Sequence, residues 1–331
     1  MDRPIGWGLL APGGIGRAFA ASLALLPDAR RVAVGSRSAE RAADFAKVYG
    51  FERAWGGYEQ LAEDPEVDVV YIASPHPMHF EQAMLCMDHG KSVLIEKPMT
   101  TDADRARRLC QRAAERGVFL MEAYWTRFMP AIRQAEAWVR GGRIGQLRML
   151  QADFCFRSEL DPTSRLFDPA LAGGGLLDVG PYVLGMASQF FGWRPDRITG
   201  AAHIGDTGVD EQNAIVLGYP GGELALMTTA VRTTRPVTCT LYGTDGRIEL
   251  PAPFYNAHAA RLVTPQGVEA FDEPFPTNGY QFEIAEVMDC LRRGLQQSPR
   301  YGWEESVGNA RIMDTLRAQW GLRFPFEEDC P

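Results

Sequence analysis

The residues with the clearest chemical potential stand at the end of a short apolar segment. Val93–Ile95 leads directly into Glu96, Lys97 and Pro98, a pattern that predicts a buried strand ending at the proline. In open α/β sheets, ligands bind beyond the carboxyl ends of the strands. Lys97 is therefore a candidate for acid/base chemistry, and Glu96 and Lys97 are candidates for cofactor contacts. The alternative is a solvated lysine that closes a loop.

A second candidate pair follows a run of glycines later in the chain. Asp178 and Tyr182 come after Gly173–Gly175, and at the start of a helix residues four apart share a face. An acid and a phenol on one face could form a catalytic element. The spacing is equally compatible with an Asp that caps the helix and a Tyr that packs in the core.

The first elements of the chain predict a site for a dinucleotide. Ile5–Leu10 predicts a strand and Arg17–Leu26 a helix, with the glycine-rich turn Ala11–Gly16 between them. Such a turn lets the backbone approach a pyrophosphate, which binds at the helix N-terminus. The first glycine of the fingerprint is replaced by Ala11, where we expect a negative φ. The candidate cofactor contacts in this turn are Ala11, Gly13, Gly14 and Ile15.

The end of the second predicted strand, Arg31–Gly35, indicates which cofactor is bound. An NAD enzyme would place an Asp or Glu here for the ribose 2′-OH, whereas this chain has Ser36 and Arg37, with Arg41 one helical turn further on. Guanidinium groups match phosphate oxygens, so we predict NADP rather than NAD. Ser38 could at the same time cap the next helix.

A third strand, Asp68–Ala73, ends in a segment with two histidines. We predict that Ser74, Pro75, His76 and His79 belong to a loop that lines the cofactor. A metal site is the alternative, but zinc sites need three or four protein ligands and no third ligand accompanies these histidines. We therefore expect no metal.

Aromatic and basic residues follow two further predicted strands. They could form a wall of the substrate pocket, or they could pack in the core. The candidate substrate contacts are Trp125, Arg127, Phe128, Phe156 and Arg157.

Strand and helix patterns alternate over residues 1–125 and predict a doubly wound parallel sheet, a Rossmann domain. From Gln146 onward the strands are longer and often alternate in polarity, which predicts a large, open-faced, mostly antiparallel sheet in an α+β domain. The predicted fold class is α/β, with a dinucleotide-binding domain at 1–125 and a substrate-binding and oligomerisation domain at 126–331. Two predicted helices near the end, Gln281–Gly294 and Glu304–Trp320, should pack back on the first domain.

Composition narrows the possible partners. The chain has 331 residues, of which 46% are hydrophobic, and its net charge is −8. The net negative charge argues against a nucleic acid or an anionic membrane as partner. No run of apolar residues approaches the length of a membrane span. Six scattered cysteines and a start without a signal-peptide pattern lead us to expect a cytoplasmic protein.

Together these motifs resemble the glucose–fructose oxidoreductase and inositol dehydrogenase (Gfo/Idh/MocA) family over nearly the whole chain. The glycine-rich turn, the tripeptide Glu96–Pro98 and the segment Asp178–Tyr182 stand in the family's order and spacing. Met121–Phe128 and the tyrosine at 182, where the wider family usually has histidine, are more similar to the branch of dimeric dihydrodiol dehydrogenases and NADP-linked D-xylose dehydrogenases.

The resemblance implies hydride transfer between a hydroxyl-bearing carbon of a sugar or vicinal diol and the nicotinamide of NADP. It implies that Lys97 and Tyr182 share acid/base duties, which agrees with the effect of a cation on a phenol pKa, and that Asp178 orients them. It also implies homo-oligomers, dimers or tetramers, formed through the second sheet. Two alternatives stay open: a non-catalytic NAD(P)-binding regulator, and a reductase of ketones or aldehydes. The sequence does not identify the substrate, the physiological direction or the number of subunits.

Overall fold

The structure is a computed structural model that describes residues 3–327. These residues form two compact units. One consists of the chain up to Trp125 together with Pro276–Val307, and the other of Thr126–Phe275 together with the residues from Gly308 onward. The predicted division at residue 125 thus needs one correction, because a segment near the end of the chain packs with the first unit.

The first part of the chain alternates strands and helices. In chain order the strands are β1 (Ile5–Leu10), β2 (Ala29–Gly35), β3 (Arg53–Trp55), β4 (Val69–Ile72), β5 (Ser92–Glu96) and β6 (Leu120–Ala123). The helices between them are α1 (Gly14–Leu23), α2 (Ala39–Tyr49), α3 (Tyr58–Glu63), α4 (His79–Asp88) and α5 (Ala103–Arg116).

The rest of the chain is richer in strands. Its helices are α6 (Pro130–Arg140), α7 (Gly175–Asp178), α8 (Gly180–Phe191), α9 (Tyr280–Arg292) and α10 (Trp303–Trp320). Its strands are β7 (Leu147–Cys155), β8 (Arg197–Ile204), β9 (Asp210–Gly218), β10 (Leu224–Ala230), β11 (Cys239–Gly243), β12 (Arg247–Leu250), β13 (Ala259–Thr264) and β14 (Gly267–Asp272).

The first sheet has the order β3-β2-β1-β4-β5-β6, and all of its strand pairs are parallel. This confirms the predicted doubly wound sheet. Strands β1, β4, β5 and β6 are completely buried, which explains why they read as unbroken apolar runs, whereas the edge strand β3 is not buried. Because the order reverses between β1 and β4, the residues that follow these strands lie at the switch point where such sheets bind ligands.

Helix ends in this unit follow local signals. The hydroxyl of Ser38 accepts a hydrogen bond from the Arg41 N–H at 3.2 Å and caps α2, as predicted. Asp102 caps α5 by accepting from the Arg105 N–H at 2.8 Å. Both helices end at a glycine with positive φ, Gly50 and Gly117, the usual termination where a left-handed residue is needed.

The helix α9 belongs to this unit because it packs on α1. Tyr280 meets Phe19 edge to face at 6.4 Å between ring centroids. The Asn278 side chain donates to the Ala18 carbonyl at 3.1 Å and accepts from the Ser22 hydroxyl at 2.7 Å. These contacts agree with the prediction that this helix returns to the first part of the chain. The same prediction for the last helix is corrected, because from Gly308 onward α10 belongs to the second unit.

The second sheet has the order β14-β13-β12-β11-β7-β10-β9-β8. Within the described part of this sheet only β7 and β10 pair in parallel, so the sheet is mostly antiparallel, as predicted. Sequence analysis missed β3, β13 and β14. Strand β14 is exposed along most of its length, and an edge strand that buries little leaves no alternating apolar pattern to detect.

No single helix within residues 3–327 is long and apolar enough to cross a membrane. Only when the two segments Pro169–Asp178 and Gly180–Phe191, which meet at a bend of 43°, are taken together do they have the length and composition of a membrane span.

Candidate active site

Lys97 extends from the carboxyl end of β5, and its neighbour Glu96 is buried beneath it. The Glu96 side chain is 5% exposed and accepts hydrogen bonds from the Tyr71 hydroxyl and, at 3.2 Å, from the Lys97 N–H. Burial raises the pKa of Glu96, and the charge of Lys97 opposes that rise. Lys97 itself is half-buried. The local structure therefore holds a lysine at the sheet's ligand-binding edge with an acid behind it.

Buried acids and aromatic rings form a second layer behind β5. Tyr71 stacks on Phe19 with ring centroids 3.6 Å apart. Glu283 on α9 is completely buried, and burial, followed by the repulsion of Glu96, raises its pKa well above the usual value. Trp125 is 4% exposed and stacks on Tyr280 at 4.7 Å. The sequence predicted only Glu96 and Trp125 of this group as site residues.

The glycine-rich turn can accommodate a pyrophosphate. A Cβ added to Gly13 would meet nothing closer than the Ala11 carbonyl oxygen at 3.9 Å, so this backbone can be approached closely. Helix α1 begins at Gly14, and no side chain caps Gly13, which leaves the first amides of the helix directed at a ligand. A Cβ at Gly16 would meet Leu9 at 3.4 Å, which explains the close packing of helix on strand. Ile15 is half-buried in the first turn.

The conformation predicted for Ala11 is wrong. Its φ is +65°, in the left-handed region that favours glycine, instead of a negative value. The chain therefore keeps the backbone geometry of a glycine at this position and accepts a cost of about 1 kcal/mol.

Two exposed arginines follow β2. Ser36 is buried, and its hydroxyl accepts from the Ser38 N–H at 3.2 Å. Arg37 and Arg41 are exposed, and within residues 3–327 neither forms an ion pair. Two guanidinium groups without a carboxylate partner suit a phosphate more than a hydroxyl.

The loop after β4 holds the predicted histidines, but they differ in role. His79 is completely buried, and its ring nitrogens lie 2.9 Å from the Pro98 carbonyl oxygen and 2.8 Å from that of Ser74. It therefore joins this loop to the segment after Lys97 and offers no side-chain atom to a cofactor, which corrects the prediction for this residue. Pro75 is half-buried, whereas Ser74 and His76 are each 8% exposed.

The second unit presents Asp178 and Tyr182 on consecutive helices. Asp178 ends α7, is 5% exposed, and pairs with Arg165 at 2.8 Å. The prediction of one helix start is corrected here, because a break at Val179 separates α7 from α8. The Tyr182 N–H still donates to the Val179 carbonyl at 3.2 Å, so the two residues stay connected by a single turn.

Aromatic rings surround Tyr182. Phe154 lies 5.1 Å from the Tyr182 ring and Tyr255 lies 5.5 Å from it, while Phe154 and Tyr255 stack on each other at 4.6 Å. Tyr182 is 7% exposed. Its phenol thus stands among flat apolar surfaces that could hold a ring or a carbon chain.

The remaining predicted substrate residues have mixed surroundings. Phe156 packs against a small core cluster that contains Phe167, and Arg157 is exposed and pairs with Glu159 at 3.0 Å. In the second unit Phe128 is 4% exposed and Arg127 is half-buried.

Comparisons with known proteins decide the family. Residues 5–124 match the family described as "Oxidoreductase family, NAD-binding Rossmann fold", and residues 132–249 match the GFO/IDH/MocA C-terminal domain. The trans-1,2-dihydrobenzene-1,2-diol dehydrogenase of Mus musculus is 37% identical over 96% of this chain and 98% of its own. The Homo sapiens enzyme of that name is 35% identical over 96% and 98%.

The chain belongs to the GFO/IDH/MocA family. It is thus an oxidoreductase whose first unit is an NAD(P)-binding Rossmann domain. Among solved structures, the 3-ketoreductase of Actinomadura kijaniata in complex with NADP and TDP-benzene is 27% identical, with a TM-score of 0.85 over 96% of this chain and 98% of that one. Levoglucosan dehydrogenase in complex with NADH and levoglucosan, at 19% identity and a TM-score of 0.86, shares the fold.

Several residues of this GFO/IDH/MocA chain escaped the sequence analysis. Phe154 could have been found, because it shares a strand face with Phe156 at a spacing of two. Arg165 lies in a loop, and Tyr255 and Glu283 are far in sequence from the residues they meet. No local pattern marks these three. Among the described residues, no three His, Cys, Asp or Glu side chains group as metal ligands.

Proposed function

We propose that this protein is an NADP-dependent oxidoreductase that transfers a hydride between a hydroxyl-bearing carbon of a sugar or vicinal diol and the nicotinamide. D-xylose 1-dehydrogenase or trans-dihydrodiol dehydrogenase activity is the specific form. The observation that carries the proposal is that the chain has both Lys97, at the ligand-binding edge of the first sheet, and Tyr182, among aromatic rings. Relatives named as dihydrodiol dehydrogenases support the substrate class.

The choice of NADP rests on the residues after β2. Arg37 and Arg41 are exposed without ion-pair partners in the described chain, and a guanidinium stabilises a phosphate through charge-assisted hydrogen bonds. When bound, NADP would supply or accept the hydride. The 3-ketoreductase neighbour crystallised with NADP supports this choice, although another neighbour of the same fold holds NADH.

We propose that Lys97 and Tyr182 act on one substrate oxygen. The lysine cation stabilises a developing alkoxide and lowers the pKa of a phenol, so Tyr182 can give up or take the proton. Asp178, held by Arg165 at 2.8 Å, would orient substrate hydroxyls. The two residues lie in different units, and the family resemblance supports their joint action.

We further propose a homo-oligomer formed through the second sheet, located in the cytoplasm. The five cysteines within the described range are free and buried, which suits a reducing compartment. Among alternative functions, a ketone or aldehyde reductase would use the same residues in reverse. A non-catalytic regulator would bind NADP without turnover.

The test is turnover with a panel of aldoses, cyclitols and trans-dihydrodiols, measured as NADPH formation, and with ketones and aldehydes as NADPH consumption. Lys97→Met and Tyr182→Phe should each lower kcat by about 10²–10⁴-fold, because both are proposed to act in the transition state. Losses should be far from additive in the double variant. NADP affinity should change little, because its phosphates are held elsewhere.

Lys47→Met and Tyr58→Phe are matched controls, since Lys47 is exposed at the end of α2 and Tyr58 starts α3. Both should keep wild-type turnover. A folded Lys97→Met protein with normal kcat would overturn the mechanism. Tight NADP binding without turnover on any compound would favour the regulator.

A further inference from the structure

Asp210 is a buried acid of the second unit that the proposed reaction does not use. It starts β9 and is 1% exposed. Its Oδ2 accepts hydrogen bonds from the Leu176 N–H at 2.8 Å and from the Asn213 side-chain amide at 2.7 Å. A carboxylate on a strand is thus bonded to the backbone of the short helix α7.

The glycine directly before α7, Gly174, is required by this carboxylate. Gly174 has a φ of +106°, and a Cβ there would lie 2.3 Å from Oδ1 of Asp210. Gly174 is the N-cap of α7 and has no side chain that could cap it. Asp210 therefore supplies from another element the acceptor that an N-cap side chain normally provides.

Helix α7 needs a hydrogen bond from another element because it is short. It spans only Gly175–Asp178, and isolated helices of this length are unstable. Helix α8 follows directly from α7 and is joined to it by hydrogen bonds. The Val179 N–H donates to the Gly175 carbonyl at 3.0 Å, and the Tyr182 N–H donates to the Val179 carbonyl at 3.2 Å. A shift at Leu176 would move Asp178 and change the approach to Tyr182.

We propose that Asp210 is a positioning residue, a cap in tertiary structure that holds α7 and thereby sets the places of Asp178 and Tyr182. The proposal rests on the proposed function for its catalytic part. It explains the glycine at position 174, before Asp178 and Tyr182, because only a residue without a Cβ lets the chain pass this close to the Asp210 carboxylate.

The surroundings of Asp210 act on its ionisation in opposite directions. Burial raises its pKa to about 7, and the hydrogen bonds from Asn213 and Leu176 oppose that rise. These donors favour the ionised carboxylate, which accepts stronger hydrogen bonds than an amide oxygen does.

The experiment compares Asp210→Ala and Asp210→Asn with wild type by hydrogen exchange and kinetics. In Asp210→Ala, amides of residues 175–182 should exchange at least about fivefold faster, which corresponds to the loss of a cap bond worth ~1 kcal/mol. The kcat should fall by about 10–100-fold, the scale of a small misplacement of catalytic groups, with the KM for NADP within about twofold. Asp210→Asn, which retains an acceptor oxygen, should be intermediate in both measurements.

Asp102→Ala is the matched control, because Asp102 caps α5 in the other unit through a bond of the same length, 2.8 Å. It should lower stability by a similar amount without changing kcat. Unchanged exchange at 175–182 in Asp210→Ala would overturn the proposal, as would faster exchange with wild-type kcat. If Asp210→Ala does not fold, Asp210→Asn decides. If wild type turns over no compound, the proposed function fails, and exchange alone decides whether Asp210 holds α7.

Discussion

Arg37 is the single side chain on which cofactor choice should depend most. It follows β2 where an acid would select NAD, and it is exposed. Arg37→Asp should remove a charge-assisted contact and add repulsion toward a 2′-phosphate, so NADP should lose its advantage of ~1–3 kcal/mol over NAD. Isothermal titration with each cofactor measures the change.

Arg311→Asp serves as the control, since Arg311 is an exposed arginine on α10. It should leave the ratio of the two dissociation constants unchanged. Equal binding of NAD and NADP by wild type would contradict the assignment of this strand end.

At the scale of elements, α9 introduces an acid into the core of the first unit. Glu283 is completely buried, and neither of its carboxylate oxygens has a hydrogen-bond partner within residues 3–327. Burial, with Glu96 adding repulsion, raises its pKa well above the usual value. The folded protein therefore keeps a proton there that the unfolded chain releases above about pH 4.5.

This predicts a pH-dependent difference between wild type and Glu283→Gln. The stability associated with the protonated acid is fully present below the unfolded pKa and is lost as pH rises toward the folded pKa. Because glutamine has no such proton to lose, wild type should lose up to ~1.4 kcal/mol per pH unit relative to the variant. Urea unfolding at pH 5, 6, 7 and 8 measures it.

Glu81→Gln is the control, since Glu81 lies in the first turn of α4, as Glu283 does in α9, but is exposed. Its unfolding free energy should follow that of wild type at every pH. Parallel curves for wild type and Glu283→Gln would show that Glu283 is ionised in the folded protein.

At the scale of the whole molecule, one face of the second sheet carries apolar side chains in contact with solvent. Leu226 is 36% exposed and pairs with Val216 on β9, and Leu224 pairs with Met149 on β7, which in turn pairs with Tyr242 on β11. A contiguous apolar surface of this kind is typical of an interface. The proposed homo-oligomer would cover it.

Leu226→Glu should therefore dissociate the oligomer, because it places a charge at the centre of the covered surface. Light scattering at micromolar concentration should then give a particle mass for the variant that is half that of the wild-type oligomer or less. Val48→Glu, on a helix of the first unit and 73% exposed, should leave the mass unchanged. A monomeric wild type would contradict the proposal.

The sequence alone determined the features that depend on neighbours in the chain. Buried parallel strands read as apolar runs, and their order with helices predicts a right-handed doubly wound sheet. Ser38 caps the helix that begins after it. The place of Lys97 at a strand end follows from the strand and from the proline after it. The cap and the strand end depend on interactions within a few residues, and the sheet order follows from the alternation of strands and helices along the chain.

Only the tertiary structure decided which distant groups meet. Arg165 pairs with Asp178, and Glu283 is buried near Glu96. Asp210, at the start of β9, accepts a hydrogen bond from the first turn of α7. Ala11 adopts a positive φ that its own preference opposes. These features are not encoded locally, because a side chain's partner, its desolvation and the conformation of a turn are set by packing between elements far apart in sequence.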